Sequence, residues 1–256
     1  MMKKVLITVL TVIVLAGCTT RKELSYLNNI PAKEGESTFN TGVSVYKLQP
    51  SDIVYISIRT QTPEGGLEDL LTGQNPNIAN QVQGEVSQYV TGYSIDPEGK
   101  LNLPIFGRIP ASGRTIYELR DMLQEKTDSL FRHAYVEVRF LSYRFSVMGE
   151  VRVPGSYLNY SDQLNILEAI SKAGGVTDYG NRKNVLVIRP VDNKTITYTV
   201  NLQDKNILES PAYFISPNDV IIVQETGRKV FSLNLPVYSL IISSIGTTLL
   251  LINYFK

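Results

Sequence analysis

Few residues in this chain are able to do chemistry. His133 is the only histidine and Cys18 the only cysteine in 256 residues. One imidazole leaves almost no material for a histidine metal cluster or a Ser-His-Asp triad. One thiol leaves no partner for a disulfide. His133 stands just before a strand-like run and reads as a surface residue. Glu68-Asp69 is an adjacent carboxylate pair, but in a Gly-rich stretch it reads as solvated charge rather than acid–base machinery. Gly175-Val176-Thr177-Asp178-Tyr179-Gly180 has the glycine spacing of a phosphate loop. Asn181-Arg182 follows it where Lys-Ser/Thr is needed, and it comes after a helix rather than a strand. The phosphate-loop reading is rejected. The chain is therefore read as non-enzymatic, with no cofactor and no metal. Only acidic residues paired across separate loops, as a hydrolase trimming a polymer needs, escape this reasoning.

Cys18 has another chemistry open to it. The chain begins MMKK, runs apolar through VLITVLTVIVL and reaches Leu15-Ala16-Gly17-Cys18. A basic start, an apolar stretch and small residues before a break make a secretory signal peptide. A lone thiol directly after Ala-Gly resembles the bacterial lipobox. That resemblance implies cleavage before Cys18 and acylation of its thiol and new amino group. Residues 1–17 are then a signal peptide, and the mature chain is held to a membrane outside the cytoplasm. An ordinary signal peptide or a short N-terminal anchor helix is the alternative.

The elements that position the remaining candidates lie in a body of ordinary globular composition, 43% apolar and 19% charged. A net charge of +1 gives no concentrated basic face for nucleic acid. Residues 18–42 are polar and aperiodic and read as a tether. VYKLQPSDIVYISIRT then sets Val45, Ile53, Tyr55, Ile56 and Ile58 around a turn at Gln49-Pro50-Ser51-Asp52, which is turn-then-strand chemistry. The phrase returns as AYFISPNDVIIVQE: Tyr46, Pro50, Asp52 and Ile53-Val54 match Tyr213, Pro217, Asp219 and Val220-Ile221. This reads as a repeated unit in which the Asp side chain caps the turn. Residues 61–91 read as a long surface loop or an inserted hairpin.

Further on, Tyr93 and Ile95 lead into the turn Asp96-Pro97-Glu98-Gly99, and Leu101 and Leu103 lead out. This alternation predicts a β-hairpin. Thr115 with Glu118 makes a capping box for a helix whose apolar face is Ile116, Leu119, Met122 and Leu123. The strand Tyr135–Phe140 follows. Val147–Gly149 predicts another strand, with Pro154-Gly155 turning the chain to Tyr157. Leu164, Leu167 and Ile170 share a helical face. Ala173-Gly174-Gly175 ends that helix, and Val185, Val187 and Ile188 begin the next strand.

The stretch from YKLQPSDIV through DPEGKLNLPIFGRI to YVEVRF resembles the polysaccharide export domain of outer-membrane polysaccharide export (OPX) proteins. FSVMGEVRVPGSYLNYSDQLNILEAISKAGGVTDYGNRKNVLVIRP resembles the soluble-ligand-binding β-grasp (SLBB) module of that family, on Gly149-Glu150-Val151, Pro154-Gly155 and Ala173-Gly174-Gly175. The implied fold is α+β. An export domain at 43–141 (a small mixed sheet with one helix) precedes one β-grasp SLBB domain at 142–226.

After Lys229 no charged residue occurs until Lys256. A helix from Val230 to Phe255 suffices for a ~30 Å hydrocarbon core, which takes ~20 residues. Residues 227–256 are assigned to this tail, with Pro236 in the first turn. Ser239, Ser243, Gly246, Thr247 and Asn253 fall on one stripe, as in helices that meet another helix or a wet lumen. A plain C-terminal anchor with incidental serines fits equally well.

The resemblance selects between these. It implies a homo-oligomeric ring in the periplasm whose tails together form a barrel through the bacterial outer membrane. Capsular polysaccharide or exopolysaccharide passes through it. Cys18 is then lipid-anchored in the same membrane, and an inner-membrane copolymerase (a chain-length regulator of the tyrosine kinase type) is the partner. Polymer contact is expected at Gly149, Pro154, Gly155 and Tyr157, at Gly174, Gly175 and Arg182, and at the tail stripe. The second reading is a periplasm-facing lipoprotein that binds envelope carbohydrate without forming a channel.

Overall fold

The computed structural model describes residues 24–30, 38–41, 45–61, 66–71, 92–191 and 194–255. Cys18, the signal segment, Lys256 and much of the 61–91 stretch and of the tether lie outside them.

The first domain is organised by one strand. β1 (Ile53–Gln61) pairs antiparallel with β2 (Leu67–Asp69) and β3 (Tyr93–Ser94) on one side, and with β6 (Tyr135–Phe140) on the other. Val54, Ile56 and Ile58 alternate into a core shared with Val136, as a strand's two-residue period requires. α1 (Ile116–Asp128) closes this core through Leu119 and Leu123, both fully buried, with Ile116 and Met122 packed beside them. Its capping box is present: Glu118 N donates to Thr115 Oγ1 at 3.1 Å, and Thr115 N donates to Glu118 Oε2 at 2.8 Å.

Two expectations for this domain need correction. The turn at Asp96–Gly99 forms, with Gly99 N donating to Asp96 O at 2.9 Å and Gly99 at φ +79°. Its arms, however, do not pair as one hairpin. Ile95 exchanges hydrogen bonds with Ser51 and Asp52 at the start of β1. The outgoing strand β4 (Lys100–Leu103) pairs with β5 (Gly107–Pro110). The ladder is thus shared with neighbours on each side. Asp69 is also not solvated charge. It ends β2, accepting from Ser57 Oγ at 2.6 Å and from Leu71 N at 2.9 Å. Ser57 is fully buried, so this carboxylate satisfies a core hydroxyl.

The second domain is a five-stranded sheet in the order β10-β9-β11-β7-β8. It is built from β7 (Arg144–Gly149), β8 (Gly155–Leu158), β9 (Gly180–Val191), β10 (Lys194–Val200) and β11 (Val220–Glu225). β11 runs parallel to β7 and every other pair is antiparallel. α2 (Ile166–Lys172) lies against it, sharing one core with Phe145, Val147, Val185, Val187, Ile221 and Val223. Leu164 was expected to open this helix, but Asn165 is the N-cap and pairs with Glu168 in a second capping box. Leu164 is buried instead in the chain before the cap, where its carbonyl accepts from Ile215 N at 2.8 Å. Together the two domains make an α+β chain.

The segment expected to be a free tether is partly docked. Leu27 N and Asn28 N donate to the carbonyls of Leu202 and Gln203 at 3.0 and 2.7 Å, and Leu27 packs on the second core. α3 (Gly227–Tyr254) leaves the end of β11 as one continuous helix. Pro236 lies inside it rather than in its first turn, because the helix starts at Gly227. The proline supplies no N–H to the Ser232 carbonyl.

Candidate functional site

The repeated phrase folds into the same device twice. Gln49 N donates to Asp52 Oδ2 at 2.8 Å, and Ser216 N donates to Asp219 Oδ2 at 2.7 Å. The residue before each Asp, Ser51 or Asn218, takes a left-handed φ of 74° or 65°. Each Asp carbonyl then accepts from a neighbouring strand, from Ile95 N at 2.9 Å and from Ser146 N at 3.0 Å. The two copies differ in what meets the carboxylate. Tyr46 donates its hydroxyl to Asp52 at 2.9 Å. Arg189 meets Asp219, with Nη2 to Oδ2 at 2.8 Å and Nε to Oδ1 at 3.0 Å. Burial pushes the Asp52 carboxyl up to about 6 against its two donors. Burial also pushes Asp219 up, and Arg189 opposes it.

The two loops singled out for polymer contact come together at one end of the second sheet. Arg152 N and Val153 N donate to the carbonyls of Gly175 and Ala173 at 3.1 and 2.9 Å. Thr177 N donates to Glu150 O at 3.0 Å, and Thr177 Oγ1 to Glu150 Oε2 at 2.6 Å. Gly149 is held by geometry. Its φ is +84°, and an added Cβ would stand 2.1 Å from the Val223 carbonyl oxygen. Pro154, Gly155 and Gly174 are exposed, and Gly175 is half-buried. Tyr157 stacks on Phe145 with ring centroids 5.7 Å apart and donates to the Val153 carbonyl. Arg182 is buried. Its guanidinium donates to the carbonyls of Val176 and Gly180 and lies over the Tyr26 ring. His133 is exposed before β6, with φ +55°.

The base of α3 is pinned to the same end. Thr226 N donates to Tyr179 O at 2.8 Å, and Lys229 Nζ pairs with Glu150 and, at 3.7 Å, with Glu225. Hydrogen bonds from Lys229 and Thr177 hold the Glu150 carboxyl below its ordinary range. From Leu233 to Phe255 the helix side chains are exposed. Ser239, Ser244, Thr247 and Thr248 donate to carbonyls of their own helix. Ser243, Gly246 and Asn253 share the exposed surface. The helix is long and apolar enough to cross a membrane by length and composition, at about 1.5 Å per residue.

Residues 41–141 match the model of the polysaccharide biosynthesis/export protein family, and residues 143–223 match that of the SLBB domain. The chain carries a polysaccharide biosynthesis/export domain followed by an SLBB domain. Three relatives of this chain carry informative names. Over 144 residues it is 36% identical to the exopolysaccharide production protein ExoF of Rhizobium meliloti (strain 1021), covering 54% of this chain and 30% of the relative. Over 147 residues it is 27% identical to the EPS I polysaccharide export outer membrane protein EpsA of Ralstonia nicotianae, covering 56% and 38%. Over 104 residues it is 32% identical to EpsA of Ralstonia solanacearum, covering 39% and 28%. The chain thus spans well under half the length of the curated relatives it matches.

Three features of the chain were missed by sequence reasoning. Arg189 occupies a core-facing place in the alternation Val185, Val187, Arg189, so the inward cation was readable from the strand period. The Asn165-x-x-Glu168 spacing announces the second capping box. The docking of residues 24–30 carries no periodic signal, because it rests on backbone hydrogen bonds and on single contacts such as Asn29 Nδ2 to Asp204 Oδ1 at 2.9 Å.

Proposed function

We propose that the protein is a subunit of an export channel. It is lipidated at Cys18, assembles into a ring, and carries capsular polysaccharide or exopolysaccharide from the periplasm across the bacterial outer membrane. The observation that carries this reading is the succession, in one chain, of an export domain, an SLBB domain with a β-grasp arrangement, and a 28-residue apolar helix. The placement of the two membrane connections supports it. Leu24, six positions after Cys18, lines the same cavity as Gly227 and Arg228 at the base of α3. Six residues reach at most about 20 Å, which suits a lipid on Cys18 and a spanning tail that share one membrane.

One helix cannot enclose a pore, so conduction requires several copies. The tail stripe Ser239, Ser243, Gly246, Thr247 and Asn253 is the surface for helix contact or for the lumen. Polymer contact in the body falls to the loops around Pro154-Gly155 and Gly174-Gly175, which Gly149, Tyr157 and Arg182 hold in shape. The protein does no chemistry on the polymer. An inner-membrane copolymerase of the chain-length regulator type hands the chain to it.

A second reading is a lipoprotein that binds envelope carbohydrate without a channel. It is favoured by the tail hydroxyls that bond within their own helix, which suits a plain anchor. Cells lacking the protein separate the two. The channel reading expects polymer trapped in the periplasm and lost from the surface. Normal surface polymer would overturn it.

A further inference from the structure

The two domains meet along a seam that is hollow. A cleft of about 290 Å³ lies between them. Its floor is an aromatic ladder. The Tyr46 and Phe140 rings are 5.4 Å apart and tilted by 49°, and Phe140 meets Tyr143 edge-on at 6.1 Å. The Tyr46 and Tyr143 hydroxyls are already committed, to Asp52 Oδ2 and to the Ile215 carbonyl. These bonds fix the rings, and what remains for a ligand is ring surface.

The walls come from both domains. Tyr117 stands on α1, and Tyr160 and Phe214 stand on the second domain. Tyr117 donates to Asp162 Oδ2 at 2.9 Å, a bond that joins the domains at this cleft. Tyr160 lines the cleft while 83% exposed, so its ring surface is open to a ligand. Arg139, paired with Glu137 on its own strand, adds a cation, and Asp162 and Gln163 add an anion and an amide.

This mixture selects a ligand class. A purely apolar ligand would take water from the Arg139, Asp162 and Gln163 groups and give them no hydrogen bonds in return. A compact anion would find no use for the aromatic floor. A sugar ring has a C–H face suited to the electron-rich face of an aromatic ring, and hydroxyls at its edge suited to a carboxylate, an amide and a guanidinium. The volume is at the lower end of ligand sites, which begin at about 300 Å³. It suits one or two sugar units and is too small for a folded segment. We infer that the seam cleft is a saccharide-binding site that holds one or two sugar units of the exported polymer. The polymer's identity as the ligand rests on the export reading.

The test uses the full chain in detergent micelles. The probe is a set of oligosaccharides from partial acid hydrolysis of the producing cell's surface polysaccharide. Saturation-transfer NMR is expected to mark sugar C–H protons. Tyr160→Ala and Tyr117→Ala are each expected to weaken binding about 3- to 10-fold, the worth of one aromatic stack. Tyr160→Phe, which keeps the ring, is expected to bind as the wild type does. Tyr135→Ala removes a ring that is 62% exposed on β6 and does not line the cleft, and is expected to change nothing. No binding by the wild type, or unchanged binding by the Tyr117/Tyr160 double variant, overturns the site. A double variant that falls apart into smaller oligomers while binding sugar normally assigns the cleft to subunit contact, and overturns it too. Loss of surface polymer in cells lacking the protein tests the export reading separately, so failure of one is visible without failure of the other.

Discussion

Arg189 closes on Asp219 with Nη2 2.8 Å from Oδ2, and both side chains are buried. The same cation donates to the carbonyls of Phe214 and Pro211 at 2.7 and 3.2 Å. One side chain therefore ties the chain before the turn to the strand after it. Removing only the cation leaves a buried carboxylate with no countercharge and only the Ser216 N–H as donor. Arg189→Met is expected to destabilise the protein by about 3–5 kcal/mol in urea unfolding. The double variant with Asp219→Asn is expected to recover part of that loss, since no charge is then left alone. A single-variant loss under about 1 kcal/mol would show that the pair does not hold the turn.

Asp52 gives a pH dependence of unusual sign. Burial raises its folded value to about 6, above the ordinary carboxylate range. An acid raised on folding binds its proton more tightly in the folded state. Its stabilising contribution is complete below about pH 4 and is lost as the pH rises through about 6. The wild type is expected to lose up to about 3 kcal/mol from this group between pH 4 and pH 7. Tyr46 and Gln49 both donate to the same oxygen, Oδ2, so an asparagine carbonyl is able to replace it. Asp52→Asn is expected to flatten this part of the profile. Parallel profiles in urea melts across that range would contradict the assignment.

The two glycines of the first SLBB loop are expected to behave differently. Gly149 has φ +84° and no room for a Cβ beside Val223. Gly149→Ala is expected to cost at least about 2 kcal/mol. Gly155 has open space around it and no positive φ, so Gly155→Ala is expected to fold as stably as the wild type, within about 0.5 kcal/mol. Paired thermal melts of the two variants check this. Equal losses would mean that the loop is not built as described.

The Glu150–Lys229 pair is expected to steer the tail more than it stabilises the body. Lys229→Ala removes a partly exposed, solvent-screened ion pair. It also frees the first turn of α3 from the loop at Thr177. Hydrogen exchange at the Thr226 and Lys229 amides is expected to quicken while the melting temperature barely moves. Unchanged exchange would show that Thr226 N–H to Tyr179 suffices to fix the helix base.

Much of this fold was legible because local signals and tertiary demands agree. Thr115 with Glu118 starts α1, and Gly174-Gly175 ends α2 at φ +76° and +84°. The matched Asp52 and Asp219 turns were visible as a repeat of letters. The partners of those carboxylates were not. Tyr46 is six residues from Asp52, but Arg189 is thirty from Asp219, and only the sheet register of β9 on β11 brings it there. The hairpin expected around Asp96 failed for the same reason. A turn fixes where the chain reverses, while the neighbours of each arm are set by strands far away in sequence. The seam cleft is assembled from both domains, and no single segment announces it.

In the proposed channel, the tail crosses the outer membrane together with those of neighbouring subunits. The most direct measurement places a small epitope tag after Lys256 and labels intact cells with a membrane-impermeant reagent, with Cys18→Ser as a control for anchoring. Channel assembly predicts labelling of intact cells. A tag that stays protected until the outer membrane is permeabilised would place the terminus inside the cell envelope and contradict the claim.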